Sequence, residues 1–289
     1  MIAQLDKASG ILLDRFQHGF PLVPLPFEVA GRAAQISGSE AVLLYQRMVT
    51  DGLITRIGAV VAPNAVAAST LAAISVPDGD IERVARIVNN EIGVNHNYER
   101  EHAVNLWFVA TAPSEVELTE TLARISEKAG LMVLDLRLEK PFHLDLGFSL
   151  AGDRGPRRRL GAPDVSAVVD HDRRLLGAIE DGIPLVERPY REIGARLGWC
   201  EDTVLARLGA LLEANVIRRF GVVVRHRALG MAATAMAVWD VDDKDADDLG
   251  SRLAREPGVT LCYRRRRGDG WPYNLYCMVH GSERAATLR

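Results

Sequence analysis

Cysteine is scarce in this 289-residue chain: Cys200, Cys262 and Cys277 are the only three, with no CxxC pair and an odd thiol left over. That argues against a disulfide framework or a cysteine zinc site, and fits a reducing cytoplasm. An excess of one charge is also missing, since 35 Lys and Arg stand against 38 Asp and Glu, a formal net charge of −3. No secretion signal is expected, because Asp6 and Lys7 fall where an apolar core is needed. The long uncharged stretch from Ile57 to Pro77 is broken by Pro63, Asn64, Ser69 and Thr70. It reads as two strands and a turn, not as a membrane span. What the chain does have is 48% apolar residues and a length that predicts roughly two domains, each able to bury a core.

A shift of 163 residues lays FQHGFPLVPLPFEVAGRAAQIS over IEDGIPLVERPYREIGARLGWC. Gly19, Pro21, Leu22, Val23, Pro26 and Gly31 then meet Gly182, Pro184, Leu185, Val186, Pro189 and Gly194. Further on, LITRIGAVV meets VIRRFGVVV and, after small gaps, IGVNHNYER meets PGVTLCYRR and NLWFVA meets NLYCMV. The chain is two copies of one unit. AGDRGPRRRLGAPD lies between them and reads as a solvated linker that includes Arg157, Arg158 and Arg159.

Each copy opens with three helical segments. In copy one, Asp6 to Phe16 has apolar residues at helical spacing, Pro26 opens a second helix and Ser39 is a candidate cap for a third. Asp170 to Ile179, Tyr190 to Leu197 and Asp202 to Ala214 repeat the order in copy two, which is that of a winged helix-turn-helix. Strand, helix, strand, strand, helix, strand then follows at Leu71–Val76, Ile81–Asn90, Val94–Arg100, Asn105–Ala110, Glu115–Lys128 and Met132–Leu138. That is a ferredoxin-like βαββαβ unit. Copy two repeats it at Met236–Val241, Ala246–Arg255, Val259–Arg265 and Asn274–His280, then has only nine residues left. The expected fold is α+β, a tandem duplication with a C-terminally short second copy. Its segments are 1–62 and 169–229 (winged helix-turn-helix), 63–150 and 230–289 (ferredoxin-like, the latter incomplete), and a linker at 151–168.

This combination resembles the Lrp/AsnC family of DNA-binding regulators, so a ligand-sensing transcription regulator is one reading. Its electrostatics are poor, because affinity for duplex DNA comes from Lys and Arg facing phosphate. Ser37–Gly52 sets only Arg47 against Glu40 and Asp51, and Cys200–Asn215 only Arg207 against Glu201, Asp202 and Glu213. Apart from these, Gln46 and Asn215 are the only base-reading residues.

The sharper signal lies in the later strands. His96-Asn97-Tyr98-Glu99-Arg100-Glu101-His102, followed by Asn105-Leu106-Trp107-Phe108, is too polar for a core strand. Alternation places His96, Tyr98, Arg100 and His102 on one face, able to converge on a ligand. Copy two has Cys262-Tyr263-Arg264-Arg265-Arg266-Arg267 and Trp271-Pro272-Tyr273-Asn274-Leu275-Tyr276. Tyr98 and Arg100 match Tyr263 and Arg265, whereas His96 meets Leu261.

At these residues the resemblance narrows to the siroheme decarboxylases, of the NirD/NirL kind (here fused) and the related AhbA/AhbB kind. Their paired subunits carry HNYxRxHxxNLWF-like and CYRRxxxxxxWPYNLYxMxHG-like strands. The resemblance implies removal of CO2 from the C12 and C18 acetates of siroheme, in heme d1 or alternative heme biosynthesis. It implies no added cofactor, since the iron arrives with the substrate. The partners it implies are siroheme and either further copies of the chain or related Lrp-like decarboxylase subunits of the NirG/NirH kind, with no nucleic acid and no membrane.

A flat macrocycle rimmed by carboxylates needs aromatic walls and arginines at the edge. Arg100, Arg264 and Arg265 are candidates to hold carboxylates, with Arg218, Arg219 and Arg225 adding rim charge. Tyr98, Trp107, Tyr263, Trp271, Tyr273 and Tyr276 are candidates to flank the ring. The carbon that loses CO2 must gain a proton, and His96 is the first choice of general acid. Tyr98, Arg100 and His226 complete the candidate catalytic set, and either His96 or His226 is a candidate iron ligand. His102, Asn105 and Asn274 join the substrate-binding set. Plainer readings stand beside these: a solvated His102, a surface cluster around His226, a solvated hairpin for Arg264–Arg267, and hairpin caps for Asn105 and Asn274. Trp199 and Trp239 are assigned to packing.

Overall fold

The computed structural model describes residues 5–144, 161–225, 233–256 and 258–281. The chain forms two compact units that cut across the duplication. One takes the segments up to Ala65 and from 161 to 225, the other Val66 to 144 and Thr234 to His280. Like parts of the two copies therefore sit together.

In the first unit, copy one supplies α1 (Lys7–Arg15), α2 (Pro26–Ala34), α3 (Gly38–Thr50) and strand β1 (Ile54–Val61). Asp6 caps α1 by accepting the Ser9 N–H, and Pro26 opens α2 where no intrahelical N–H is needed. The cap of α3 is Ser37 and not Ser39: its hydroxyl accepts the Glu40 N–H while the Glu40 carboxylate accepts the Ser37 N–H. Gly31 recurs as Gly194 because a Cβ there would stand 2.7 Å from the Ser37 carbonyl oxygen in copy one and 2.6 Å from that of Trp199 in copy two. The helix-turn-helix bend leaves no room for a side chain.

Wing strand β1 pairs antiparallel with its copy-two equivalent, β6 (Ile217–Val224), with Gly58 opposite Gly221. The copies also exchange main-chain bonds across this pair, Phe20 N–H to Phe220 O at 3.0 Å and Ile183 N–H to Ile57 O at 2.7 Å. Those bonds are equivalent under the 163-residue shift, so the unit has an internal pseudo-two-fold axis. The helices of copy two are α6 (Asp170–Ala178), α7 (Pro189–Leu197) and α8 (Glu201–Glu213).

The second unit contains β2 (Ala68–Ile74), α4 (Ile81–Asn89), β3 (Val94–Glu99), β4 (Leu106–Ala112), α5 (Glu115–Ala129) and β5 (Val133–Leu144) from copy one. Copy two adds β7 (Ala233–Trp239), α9 (Ala246–Leu253), β8 (Val259–Arg265) and β9 (Leu275–Gly281). All its strands form one sheet in the order β3-β4-β2-β5-β8-β9-β7. Copy one is a complete βαββαβ unit, while copy two shows β-α-β-β among the described residues; 282–289 lie outside them. Two departures from expectation are informative. Strand β5 runs six residues beyond Leu138, because its second half pairs with β8, with ladder shifts either side of Pro141 that accommodate a residue lacking an N–H. Trp239, assigned to packing, is 38% exposed.

The two faces of the sheet have separate cores. Phe108 is buried beneath α4 and α5 with Ile74, Val84 and Ile125. Its neighbour Trp107, on the opposite face, is buried with Leu134, Leu136, Trp271 and Tyr276. That second core joins the copies, since Trp107 belongs to copy one and Trp271 to copy two.

Candidate active site

Strand β3 carries the copy-one residues. Asn97 faces the helices, where its amide donates to the Asn89 side chain at 2.8 Å. The alternate residue, Tyr98, pairs across the ladder with Trp107 and faces the other side. The Arg100 guanidinium lies over the Tyr98 ring, 5.1 Å from its centre. Position 96 pairs with Val109, two residues back along β3. The His96 side chain lies outside what the structure describes, as does residue 226.

The strand stops at Glu99, so alternation does not extend to His102 as expected. Residues 101–104 form a bend in which the His102 N–H donates to Arg100 O at 2.9 Å. The imidazole still turns towards the second copy. Its Nδ1 accepts the Val104 N–H at 3.0 Å, and its ring meets Trp271 edge-on at 5.5 Å.

Copy two repeats the arrangement in a more enclosed setting. Arg265 lies 4.9 Å from the centre of the Tyr263 ring and 6.0 Å from that of Tyr276, and its Nη1 donates to Leu136 O at 2.9 Å. Its Nε is buried without a partner, and no carboxylate pairs with it among the described residues. Burial disfavours its charge and lowers the pKa, the two phenols opposing that shift. The same enclosure pushes Tyr263 up, while Tyr276 rises to about 12, moderated by the Trp271 N–H and by Arg265. Both phenols stay protonated near neutrality, and the Tyr276 hydroxyl is a hydrogen-bond donor.

The aromatic wall is continuous. Trp271 stacks edgewise on Trp107 at 5.1 Å and on Tyr273 at 4.8 Å, and its indole N–H donates to the Tyr276 hydroxyl at 2.8 Å. The Tyr276 hydroxyl in turn donates to Tyr273 O at 3.2 Å.

Other candidates have structural duties. Asn105 and Asn274 are matched locks. The Asn105 side chain accepts the Val76 N–H and donates to Val76 O, both at 2.9 Å, and Asn274 does the same with Val241 at 3.0 and 2.9 Å. Arg264 is taken up by Glu139 at 3.0 Å, Asp243 at 3.2 Å and Asp247 at 3.6 Å, away from the Arg265 side of β8. In the first unit, Arg218 donates to Gly161 O at 2.7 Å, and Arg219, only 6% exposed, donates to Gln17 O at 2.8 Å and Val222 O at 3.1 Å. Both wing arginines thus hold main chain there. Arg225 is exposed, its N–H bonded to Leu53 O. Arg267, read from sequence as part of a solvated run, is a hub that donates to Pro272 O, Val241 O, Asp240 and Asp243. It pins the loop that presents Trp271.

The regulator reading loses two of its four candidate base readers. Arg207 of α8 forms a two-pronged pair with buried Asp172 at 2.6 and 2.9 Å, and Gln46 of α3 donates to Leu185 O at 3.0 Å. Among the described residues no helix is long and apolar enough to cross a membrane, and no His, Cys, Asp and Glu cluster could hold a metal ion.

Comparison with known proteins gives a consistent picture. The model of the AsnC-like ligand binding domain matches residues 66–143 and 228–289, and that of the siroheme decarboxylase NirDL-like HTH domain matches 172–218. The siroheme decarboxylase NirDL subunit of Paracoccus denitrificans is 42% identical over 285 residues, 98% of this chain and 88% of that one. A shorter relative, the siroheme decarboxylase NirD subunit of Stutzerimonas stutzeri, is 40% identical over 146 residues, covering 50% of this chain and 96% of its own. A crystal structure of the siroheme decarboxylase NirDL with an iron-uroporphyrin III analogue superposes with a TM-score of 0.67 at 29% identity, over 96% of this chain and 82% of the other.

Proposed function

The chain belongs to the siroheme decarboxylase family, and from that premise we propose how its residues act on siroheme. It is a carboxy-lyase that removes CO2 from the C12 and C18 acetates, giving 12,18-didecarboxysiroheme in heme d1 biosynthesis. When a C–CO2⁻ bond breaks, its electron pair stays on the side-chain carbon, delocalises into the macrocycle and is quenched by one proton.

The observation that carries the residue assignment is Arg265: a partly buried guanidinium stacked on Tyr263, with no carboxylate paired to it among the described residues. A substrate carboxylate supplies the missing charge. Arg100, stacked on Tyr98, binds a second carboxylate from the copy-one side, and the Trp107–Trp271–Tyr273 wall lies against the apolar macrocycle. His96, two residues from Tyr98 on β3, delivers the proton. His102, its Nδ1 occupied by Val104, presents Nε2–H as a donor to a further carboxylate.

No added cofactor is required in this reading, because the iron belongs to the substrate. The protein works in the cytoplasm, as a homo-oligomer or with related subunits, a reading supported by half-length relatives that are named as subunits. The test is anaerobic incubation of the purified protein with siroheme and mass analysis of the extracted tetrapyrrole. Loss of two CO2 per macrocycle is expected, and an unaltered tetrapyrrole would overturn the reading.

A further inference from the structure

Two of the three cysteines face each other. In the β8–β9 ladder the Arg265 N–H bonds Asn274 O at 2.9 Å, and three steps further along Cys262 stands opposite Cys277. That step count makes it a non-hydrogen-bonded position, where antiparallel strands bring side chains closest, with Cα atoms about 4.5 Å apart. The sulfurs are 3.3 Å apart, and Cys277 Sγ donates to Cys262 Sγ. Both residues are fully buried beneath α9, in the core formed with Val259 and Leu275. A disulfide needs about 2.05 Å between sulfurs and a Cα separation of about 4.4–6.8 Å. The usual Cα spacing at such a ladder position satisfies the second condition, so side-chain rotation is the movement that brings the sulfurs together.

We infer that Cys262 and Cys277 are a reversible redox modification site, closing to a cross-strand disulfide when a hydroperoxide reaches them. One thiol attacks the peroxide and becomes a sulfenic acid, releasing one water. The second thiol displaces the sulfenic oxygen as a second water and forms the S–S bond. Two electrons pass from the sulfur pair to H2O2, and a dithiol reductant restores the pair. The cysteines alternate along β8 and β9 with Tyr263 and Tyr276, which enclose Arg265 from the other side of the sheet. Closing the bridge therefore fixes the strands that form the arginine cage. That coupling rests on the substrate-binding role proposed for Arg265, whereas the bridge itself does not.

The experiment treats the full-length Cys200→Ser variant, which lacks the exposed third thiol, with a stoichiometric amount of hydrogen peroxide. Thiols are then alkylated after unfolding. Alkylatable thiols should fall from two to none, with loss of two hydrogen masses and reversal by dithiothreitol. Adding Cys277→Ser should leave Cys262 alkylatable. If that variant does not fold, peptide mapping of the oxidised wild-type chain for a Cys262–Cys277 cross-link gives the same answer. Two alkylatable thiols after treatment, or no cross-linked peptide, would overturn the site. Siroheme affinity is then compared between oxidised and reduced protein. A several-fold change is expected, and equal affinity with the bridge formed would overturn the coupling alone.

Discussion

Arg265 lies over the Tyr263 ring at 4.9 Å, as Arg100 lies over Tyr98 at 5.1 Å. The duplication thus preserves a stacked Tyr–Arg unit. Its surroundings differ: Tyr98 is 44% exposed, while the copy-two pair is enclosed by Tyr276 and the Leu136 carbonyl.

That difference ranks the two arginines. A charge-assisted hydrogen bond in an enclosed site is worth about 1.5–3 kcal/mol, so Arg265→Ala should weaken siroheme binding roughly 10- to 100-fold. Arg100→Ala, in the more solvated pair, should weaken it less. Arg265→Lys should recover only part of the loss, because an ammonium neither stacks as a plane nor forms a two-pronged bond. Spectroscopic titration with siroheme checks all three, and equal losses at the two positions would contradict the ranking.

His96 is assigned the proton, not the grip. Replacing it by Ala should slow decarboxylation by roughly 10²- to 10⁴-fold, the usual contribution of general acid catalysis, while siroheme affinity changes little. Single-turnover kinetics beside a binding titration separates the two quantities. Equal turnover by wild type and His96→Ala would remove His96 from that role.

Much of this was legible in the sequence, and the exceptions have physical causes. The 163-residue repeat revealed both winged helices and both ferredoxin-like halves, and strand alternation put Tyr98 and Arg100, matched by Tyr263 and Arg265, on one face; that each arginine stacks on its tyrosine came from the structure. The cap of α3 was misplaced at Ser39, although Ser37 stands three residues before Glu40, the spacing a capping box needs. The length of β5 was not legible. Pro141 reads as a strand stop until a partner strand from the other copy is present to tolerate it. Nor was the burial of Arg219, whose acceptor, Gln17 O, lies in the other copy 202 residues away.

The paired asparagine locks differ in burial, which predicts unequal costs. Asn274 is buried, and its loss leaves the Val241 N–H without its side-chain acceptor, while Val241 O keeps the Arg267 guanidinium as a donor. Asn274→Ala should destabilise the protein by about 1–3 kcal/mol, the cost of leaving buried polar groups unmade. Asn105→Ala should cost less, since water can reach that half-buried site. Urea unfolding midpoints of the two variants test the order, and a larger loss at Asn105 would reject it.

Acid stability should depend on Glu91. Its carboxylate is buried, and a hydrogen bond from Lys128, with added attraction from Lys128 and Arg124, outweighs desolvation and holds its pKa below the ordinary 4.5. A group whose pKa is depressed by folding binds its proton more readily in the unfolded chain. Its stabilisation is therefore fully present above the unfolded value and is lost as pH falls through the folded one. Because Lys128 and Arg124 are about half exposed, solvent screening keeps the contribution modest, about 1 kcal/mol. Glu91→Gln should lower the unfolding free energy near pH 7 by about that amount and flatten its decline below pH 4.5. At a pH below both pKa values, where wild-type Glu91 is also neutral, the two proteins should converge. Unfolding curves across that range decide it, and a constant gap would assign the effect to packing instead of charge.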